Sequence, residues 1–228
     1  MSSDRIRLSV DEARALGERA LLGIGYDGEE ARIIADHVID AARCGYEYSG
    51  LAKILNIPEH RRFAQPRRPM KILHETEVSA LYDGGNNNGM VAMYHAARAT
   101  IAKAAAHGIA IVGVTDSWMS GRSAYFVEMI ARADLVAIHT ASSGAALIPG
   151  NDDGYVFIAF RPDLLVPLAG LKRELAALIA RVKAVPRQPG VAEIRIPGEQ
   201  SAKNRERLLR EGLEIDRLVY DRLTTLAG

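Results

Sequence analysis

The sequence contains almost no cysteine and almost no excess charge. Its only cysteine, Cys44, cannot form a disulfide within the chain, which is typical of a protein in a reducing compartment. The 29 basic and 28 acidic side chains leave a net charge of +1. This balance gives no electrostatic basis for nucleic acid or an anionic membrane as an obligate partner, and we expect neither.

The chain also lacks long apolar runs and common catalytic signatures. No run is long enough to span a bilayer, and the first residues carry no apolar signal segment, so we expect a cytoplasmic protein. The six histidines lie far apart, without the short spacings of a zinc site, and no metal is predicted. No Gly-x-Ser-x-Gly sequence marks a hydrolase nucleophile.

Two capping signals predict a helical hairpin at the start of the chain. Ser9 with Glu12, and Asp27 with Glu30, have the spacing of capping boxes, and apolar residues follow at helical intervals. The second helix is expected to reach Cys44. A thiolate is disfavoured at a helix C-terminus, so we interpret Cys44 as a buried structural residue rather than a nucleophile.

A basic connector is predicted over residues 58–69, after a short helix over 49–55. The connector contains Arg61, Arg62, Arg67 and Arg68. We interpret these arginines as solvated or interface residues, with anion binding as the alternative.

Three histidines fall on predicted elements: His37 in the second helix, His95 in the helix after residue 89, and His139 at a strand end. We interpret His37 as solvent-facing or satisfied and the other two as structural. His139 is the better placed of these two for chemistry, because strand ends face the ligand crevice of such sheets.

Residues 77–140 alternate between strand and helix patterns. The predicted strands are 77–82, 109–114 and 135–140, and the predicted helices are 90–107 and 121–133. This alternation implies parallel βαβ crossovers, with the apolar strand 109–114 at the centre of an α/β sheet. Ligands bind outside the carboxyl ends of such strands, so the site is expected at Thr115–Gly121 and Thr140–Gly150.

A glycine- and asparagine-rich stretch, Gly84–Gly89, is predicted to be the turn between the first strand and its helix. Backbone N–H groups at a helix start can bind phosphate. The stretch lacks the Gly-x-Gly start of a dinucleotide fingerprint, however, and has Met90 where a P-loop requires lysine. A structural turn is the favoured interpretation, and a phosphate site is the alternative.

The pattern changes again after residue 150. We predict strands over 155–160 and 192–196, and helices over 164–182, 201–212 and 216–226. Three parts are expected: an N-terminal helical part (1–57), a central α/β part (70–150), and a C-terminal part (151–228) whose βαβ unit and helices pack back on the first.

Five segments carry a resemblance to a known family. They are ADHVIDAARCGYEYSGLAKI, LYDGGNNNGMVAMYHAARATIAKAAAHGIAIVGV, VTDSWMSGRSAYFVEMIARADLVAIHTASS, GYVFIAFRPDLL and PGVAEIRIPGEQSAKNRERLLREGLEI. These segments resemble the malate/L-lactate dehydrogenase family, which also includes ureidoglycolate, sulfolactate and piperideine-carboxylate oxidoreductases. The resemblance covers nearly the whole chain.

The resemblance implies a non-Rossmann α/β fold with a shortened central sheet and N- and C-terminal helical layers. It also implies a homodimer that transfers hydride between NAD or NADP and a small 2-oxo, 2-hydroxy or cyclic imino acid. In that chemistry a protonated histidine polarises the carbonyl group and an arginine holds the carboxylate of the ligand.

The family motif Gly-x-x-Ser-His-Gly-x-x-Arg falls on residues 45–53. Tyr48 and Ser49 stand at its Ser-His pair, so a serine replaces the catalytic histidine. Lys53 stands where the substrate-holding arginine is expected; it keeps the charge but loses the planar fork. By this resemblance Tyr48 and Ser49 are the catalytic candidates and Lys53 is the candidate for substrate binding.

The cofactor loop of the family, Ser-Asn-His-Phe-Gly, is similar to Ser117, Trp118, Met119, Ser120 and Gly121. Only the first serine and the last glycine are kept. After Gly150 the family has a large block that completes the nicotinamide site and carries the catalytic aspartate, and this chain continues directly with Asn151.

Three functions therefore remain open. The chain could be an oxidoreductase with a reduced cofactor site and altered activity. Alternatively, it could have lost hydride transfer and perform another reaction on a small carboxylate, with Tyr48 or Lys53 as acid–base groups. The third alternative is a non-catalytic binding or assembly subunit that pairs with a full-length relative.

Overall fold

A computed structural model describes residues 4–143 and 153–228 of the chain. The strands are β1 (Arg5–Leu8), β2 (Lys71–Glu75), β3 (Ser79–Asn88), β4 (Ile109–Trp118), β5 (Val136–Ser143), β6 (Asp153–Phe160) and β7 (Leu213–Asp216). The helices are α1 (Val10–Gly23), α2 (Gly28–Arg43), α3 (Ala52–Glu59), α4 (Gly89–His107), α5 (Ser123–Ala131), α6 (Leu168–Lys183), α7 (Glu199–Glu211) and α8 (Arg217–Ala227), with short 3-10 helices at Glu47–Ser49 and Pro162–Leu164. In the described ranges, no helix is both long and apolar enough to cross a membrane.

The two N-terminal helices begin as the capping signals predict. The Ser9 hydroxyl accepts a hydrogen bond from the Glu12 backbone N–H, and the Glu12 carboxylate accepts one from the Ser9 N–H. Asp27 and Glu30 form the same reciprocal pair at the start of α2. The apolar sides of these helices pack with α3, β7 and α8 into one hydrophobic core.

A small antiparallel sheet joins the two ends of the chain. Strand β1 pairs with β7 from Arg5 opposite Asp216 to Leu8 opposite Leu213. The sequence patterns missed both strands. Each has only four residues, and its partner lies more than two hundred residues away along the chain, where local periodicity carries no information.

The main sheet has five strands in the order β2-β3-β4-β6-β5. β3 and β4 are parallel neighbours joined by α4, so the crossover predicted there is confirmed. β6 lies between β4 and β5 and runs antiparallel to both, so the sheet is mixed rather than all parallel. The α/β fold class is therefore confirmed, with one strand from the C-terminal part inserted into the central block.

The two faces of this sheet differ in burial. On one face Ala110, Val112 and Phe157 are fully buried in a second hydrophobic core with α4 and α5. On the other face the paired residues Ile111, Ile158 and Ile138 form a row across β4, β6 and β5. The alternation of side chains along a strand produces this division.

The glycine-rich stretch is not the predicted turn. Residues 84–88 form the end of β3 and pair with β4 up to Trp118 after a bulge. A Cβ atom on Gly84 would come within 2.8 Å of the Thr115 carbonyl oxygen, so glycine is required by the close approach of two strands. The structural interpretation of Gly84–Gly89 is right, but the predicted turn is wrong, because Asn87 and Asn88 pair with β4 within the sheet.

Other predicted elements also change. No strand forms over 192–196, where the chain is irregular and mostly exposed. The predicted helix over 164–182 begins only at Leu168, after Pro167, and the helix predicted over 49–55 is α3, which begins at Ala52. Thr140 belongs to β5, and the rest of the expected 140–150 site lies largely outside the described residues. The division of the chain into three parts stays a prediction.

Candidate active site

Residues 45–53 form a tight surface turn between α2 and α3. Gly45 has φ of +90°, and a Cβ atom on Gly50 would come within 2.9 Å of the Ala42 side chain. Both glycines are therefore required by the path of the backbone. The turn between them is a single 3-10 helix, Glu47–Ser49, with no buried residue.

Tyr48 and Lys53 contact each other on this surface. Tyr48 is 70% exposed, and Nζ of Lys53 lies 5.2 Å from the centre of its ring. A lysine over an aromatic face at an exposed site contributes ~0.5–1 kcal/mol. Ser49 is half-buried beside them. Lys53 is partly exposed, and its ammonium group beside the exposed Tyr48 ring can bind the carboxylate of a small acid.

The first two residues of the expected cofactor loop belong to β4. Ser117 and Trp118 are buried and pair with the end of β3. The indole N–H of Trp118 donates to the Asn86 carbonyl at 3.1 Å, and the indole stacks on His60 with ring centres 4.5 Å apart. The buried Ser117 hydroxyl has no hydrogen-bond partner within the part of the chain that the structure describes.

The end of the same loop closes against α2. Gly121 has φ of +68°, and a Cβ atom there would overlap the imidazole ring of His37. The next backbone N–H, that of Arg122, donates to Nε2 of His37 at 2.8 Å. Burial lowers the pKa of His37 to about 3, so the ring is neutral and accepts this bond. The solvent-facing alternative for His37 is therefore wrong: the ring is buried and Nε2 accepts this bond, whereas Nδ1 has no hydrogen-bond partner within residues 4–143 and 153–228.

Charged residues behind the loop connect three helices. Arg122 contacts Asp40 of α2 at 3.1 Å and Glu128 of α5 at 2.6 Å, and Arg205 of α7 contacts the same two carboxylates. Burial and the adjacent Asp40 raise the pKa of the Cys44 thiol. The structure thus supports the interpretation of Cys44 as a structural residue.

A second polar cluster lies at the carboxyl ends of β3 and β4. Nε of Arg62 donates to the Asn86 side-chain oxygen at 2.7 Å, and its guanidinium also pairs with the Asp116 carboxylate. Arg68 contacts that carboxylate at 2.6 Å. Asn86 and Asp116 have φ of 59° and 52°, which Asn and Asp adopt more readily than most residues. The cluster fixes the connector to both strands.

The sequence patterns do not indicate this cluster. The interpretation of the connector arginines as solvated or interface residues is wrong for Arg62, which is buried, whereas Arg67 and Arg68 form intramolecular ion pairs with Glu30 and Asp83. The available signal was the placement of polar residues at the ends of two apolar strands, opposite a basic connector. To predict that the connector arginines bind these polar strand ends, the register of β3 and β4 would have to be known.

Residues 117–121 offer little open surface to a dinucleotide. Ser117 and Trp118 are buried, Met119 and Ser120 are partly exposed, and so is Gly121, whose added Cβ would meet the His37 ring. A pyrophosphate needs exposed backbone N–H groups or free cationic side chains. The adjacent cation, Arg122, is already engaged by two carboxylates. The loop and Arg122 therefore offer no free cationic side chain to a pyrophosphate, which leaves only the backbone N–H groups of residues 119–121 for such a contact.

Tyr48 and Lys53 lie next to each other in the structure. The structure does not bring this pair into contact with the 117–121 loop. Within residues 4–143 and 153–228, no hydrogen bond, ion pair or ring contact joins the two groups. Helix α3 links them indirectly, because Lys53 lies in its first turn and His60, stacked on Trp118, follows its last residue. Seven helical residues separate the two positions by about 10 Å.

Two cavities lie outside the expected site residues. One of about 240 Å³ adjoins the 45–53 turn and is lined by Glu47 and Leu51 of that turn and by Ile215 of β7, among other residues. A more open groove of about 760 Å³ contains Tyr82 and His95, and burial lowers the pKa of His95. Among the described residues, no three or more His, Cys, Asp or Glu side chains are grouped so that they could hold a metal ion.

Comparison with known sequences shows one family. The model of the malate/L-lactate dehydrogenase family matches residues 8–152 and 148–224. The malate/(S)-sulfolactate dehydrogenase of Methanothermus fervidus is 28% identical over 144 residues, which are 62% of this chain and 42% of the relative. Hydroxycarboxylate dehydrogenase B of Escherichia coli O157:H7 is 34% identical over 124 residues, 52% of this chain and 34% of the relative. The matches thus span about two fifths or less of these relatives.

Comparison with solved structures shows the same fold. The malate dehydrogenase of Pyrococcus horikoshii OT3 superimposes with a TM-score of 0.88 at 19% identity, covering 100% of this chain and 97% of that one. The sulfolactate dehydrogenase of Methanocaldococcus jannaschii gives a TM-score of 0.85 at 18% identity, covering 97% and 96%. At these identities the likeness establishes the fold alone.

Proposed function

Because the chain belongs to the malate/L-lactate dehydrogenase family, we propose that it is an NAD(P)-linked oxidoreductase-family protein with altered activity. Its ligand in this proposal is a small 2-oxo, 2-hydroxy or cyclic imino acid. The observation that carries the proposal is the family match over both halves of the chain, together with the names of its relatives, which are dehydrogenases of small acids. The homodimer and the cytoplasmic location expected from the sequence belong to the same proposal.

The accessible pair of Tyr48 and Lys53 is the proposed substrate site. The ammonium group of Lys53 would hold the carboxylate of the acid as a point charge. The adjacent Tyr48 hydroxyl could donate a hydrogen bond to the 2-oxo oxygen. Because lysine lacks the planar fork of arginine, the ligand would be oriented less strictly than by the family motif.

Ser49 supports the altered activity. It occupies the position at which the family resemblance expects a histidine, and a serine hydroxyl does not titrate near neutral pH. It can donate or accept a hydrogen bond but cannot act as a protonated acid. In this site the proton on the substrate oxygen would have to come from Tyr48 Oη, from Lys53 Nζ or from water.

The packing of the 117–121 loop favours a second candidate function, in which hydride transfer has been lost. Ser117 and Trp118 are buried, and Gly121 lies against His37. Such a protein would bind the same acids through Lys53 and would carry out a cofactor-independent reaction on them.

Binding of nicotinamide nucleotides separates the two candidates. NADH and NADPH should each be titrated by fluorescence and calorimetry, with and without pyruvate or oxaloacetate. Saturable binding of either nucleotide supports the oxidoreductase proposal. If neither binds while a 2-oxo acid does, hydride transfer must be abandoned in favour of the second candidate.

The substrate site itself is tested by Lys53→Ala. We expect this substitution to reduce 2-oxo acid binding at least ~10-fold, because a charged hydrogen bond is worth about 1.5–3 kcal/mol. Lys203→Ala, which removes an exposed lysine on α7, is the matched control and should leave binding unchanged. Equal binding by both variants would contradict the site assignment.

A further inference from the structure

The cavity of about 240 Å³ beside the 45–53 turn is separate from the proposed substrate site. The turn contributes Glu47 and Leu51 to its lining, and β7, the end of α7 and the start of α8 form the opposite walls. Neither Tyr48 nor Lys53 lines it. The cavity therefore lies between the turn and the C-terminal elements of the chain, and the proposed function does not use it.

The floor of this cavity is aliphatic and held in place by the protein core. Leu51, Leu213 and Ile215 line it and are 1%, 3% and 5% exposed. All three belong to the hydrophobic core that includes α1 and α2. Because this surface is already formed, an aliphatic group of a ligand can bury apolar area on it without rearranging the core.

The volume of the cavity limits the size of the ligand. A water molecule occupies about 30 Å³ of liquid, so the cavity has room for about eight groups of that size. Ordinary small-molecule sites measure about 300–1,000 Å³, and this one is at or below the lower end of that range. The ligand is therefore a small metabolite and not a nucleotide or a peptide.

The rim of the cavity carries side chains of both charge signs, each about half exposed. They are Arg7, Arg207, Glu47, Glu211 and Glu214. The Arg7 guanidinium pairs with the Glu214 carboxylate. Arg207 contacts Glu211 at 2.7 Å. A ligand with a single charge would leave one of these groups without its partner, whereas a ligand with both charges satisfies the two signs together.

Strand β7 also directs backbone groups away from β1. The Arg217 N–H donates to the Asp4 carbonyl at 2.9 Å, which makes these two residues a hydrogen-bonded pair of the β1–β7 ladder. Hydrogen-bonded and non-hydrogen-bonded pairs alternate along antiparallel strands. Glu214 and Asp216 are therefore non-hydrogen-bonded positions, and their N–H and C=O groups point to the free edge of β7.

Arg5 shows that this free edge faces the turn. Its guanidinium donates to the Glu214 carbonyl at 2.6 Å and to the Glu47 carboxylate at 2.7 Å, so it connects the edge of β7 with the turn. Glu47 and Glu214 both line the cavity. The edge N–H groups are thus placed to donate to a carboxylate bound between β7 and the turn.

We propose that this cavity binds a small aliphatic α-amino acid of about the size of leucine. Its side chain lies on Leu51 and Ile215, its carboxylate accepts hydrogen bonds from the free edge of β7, and its ammonium group contacts Glu47. The site goes beyond the proposed function and does not depend on it. Because Glu47 and Leu51 flank Tyr48 in the turn, the bound amino acid joins the turn to β7.

Calorimetric titration of the full chain with leucine tests the proposal. We expect saturable binding with a dissociation constant below ~1 mM, as for a small ligand that is well enclosed. Isopentylamine lacks the carboxylate and isocaproate lacks the ammonium group, and each should bind at least ~10-fold more weakly because a charged hydrogen bond is lost. No saturable leucine binding, or an analogue that binds as tightly as leucine, would overturn the proposal.

Filling the cavity should prevent binding. Ala52 lines the cavity at the start of α3, and Ala52→Phe should weaken leucine binding at least ~10-fold by occupying the space. Ala102→Phe, at an exposed position of α4, is the matched control and should bind leucine as the native chain does. Leucine should raise the melting temperature of the control and not that of Ala52→Phe, and circular dichroism should show that both variants are folded.

The contact with the ammonium group is tested without filling the cavity. Glu47→Gln keeps the size of the side chain and should weaken leucine binding at least ~10-fold. Glu59→Gln is the matched control, because Glu59 is also an exposed carboxylate paired with an arginine, Arg222, but does not line the cavity. Equal leucine binding by these two glutamine variants would contradict the assignment.

Photo-cross-linking and competition separate this site from the proposed substrate site. A leucine analogue with a diazirine in its side chain should label peptides that contain residues 42–52 or 207–219, and labelling elsewhere would overturn the proposal. Lys53→Ala should bind leucine as tightly as the native chain, and pyruvate should not displace it. Displacement by pyruvate would assign leucine to the proposed substrate site. Leucine binding by a chain that binds no 2-oxo acid would support this inference and contradict the proposed function.

Discussion

The two groups of residues that the family resemblance assigns to the site differ in how firmly the fold holds them. Residues 117–121 are fixed by internal contacts at both ends, because the buried Trp118 donates to the Asn86 carbonyl and Gly121 lies against His37. Tyr48 is exposed and Lys53 is partly exposed, and the Lys53 ammonium lies 5.2 Å from the centre of the Tyr48 ring. Groups that are committed to internal contacts stabilise the fold, and groups that are accessible remain free to bind a ligand. Substitutions should therefore affect stability at the first region and binding at the second.

The largest loss of stability is expected from Arg62→Met, beside the buried region. The substitution leaves the Asn86 side-chain oxygen and the buried side of Asp116 without their guanidinium partner. Removing one member of a buried ion pair costs about 3–5 kcal/mol, and we expect a loss of about 4 kcal/mol in the free energy of unfolding measured in urea. Arg61→Met, at an exposed neighbouring position, should cost less than ~1 kcal/mol.

Gly121→Ala should destabilise the protein by about 3 kcal/mol through two separable effects. A left-handed residue with a Cβ atom costs ~1–2 kcal/mol, and overlap with the His37 ring adds the strain of overpacking. Gly25→Ala is the matched control, because Gly25 also has a positive φ but has no atom within 4 Å of a new Cβ. Equal losses at the two glycines would show that Gly121 does not close on His37.

The buried His37 should make stability depend on pH. Its pKa is lowered to about 3 in the fold by burial and lies near 6.5 in an unfolded chain, so the unfolded state binds more protons between these values. The contribution of neutral His37 to the free energy of unfolding is therefore complete above pH 6.5. As the pH falls from 7 to 5, the free energy of unfolding decreases by about 2 kcal/mol. Urea unfolding across this range should show the decline, and His37→Gln should remove it. An unchanged slope in the variant would assign the decline to other groups.

The smallest effect on stability is expected from Lys53→Ala in the exposed region. Its loss should lower the free energy of unfolding by less than ~1 kcal/mol, since an exposed cation–π pair contributes no more than that. A larger loss in thermal or urea unfolding would remove the contrast between the two regions and assign Lys53 to the scaffold.

Part of the fold could be derived from local sequence. The capping pairs Ser9–Glu12 and Asp27–Glu30 act over three residues, and helix α4 and strand β4 are contiguous, mostly apolar segments of the chain. Such elements are read correctly because the interactions that start or end them lie within one or two turns of the chain. The predicted strand over 192–196 had the pattern of a strand but no neighbouring strand with which to pair.

The position of β6 could not be derived in the same way. Its strand character is visible in residues 155–160, but nothing local indicates that it enters the sheet between β4 and β5. The same holds for the Arg62 cluster, whose members come from a connector and two strands. These contacts join residues from 24 to 55 positions apart, and only chain packing selects them.

The sequence by itself determined the helical hairpin, the α4 crossover and the family resemblance, because local capping, periodicity and contiguous motifs are written along the chain. Only the tertiary structure decided that Gly84–Asn88 is a strand end, that Trp118 is buried, that Gly121 lies against His37, and that Tyr48 is exposed beside Lys53. Burial and close approach are properties of residues distant in sequence that meet in space. The same motif residues can therefore serve as a site or as scaffold, and packing makes the difference.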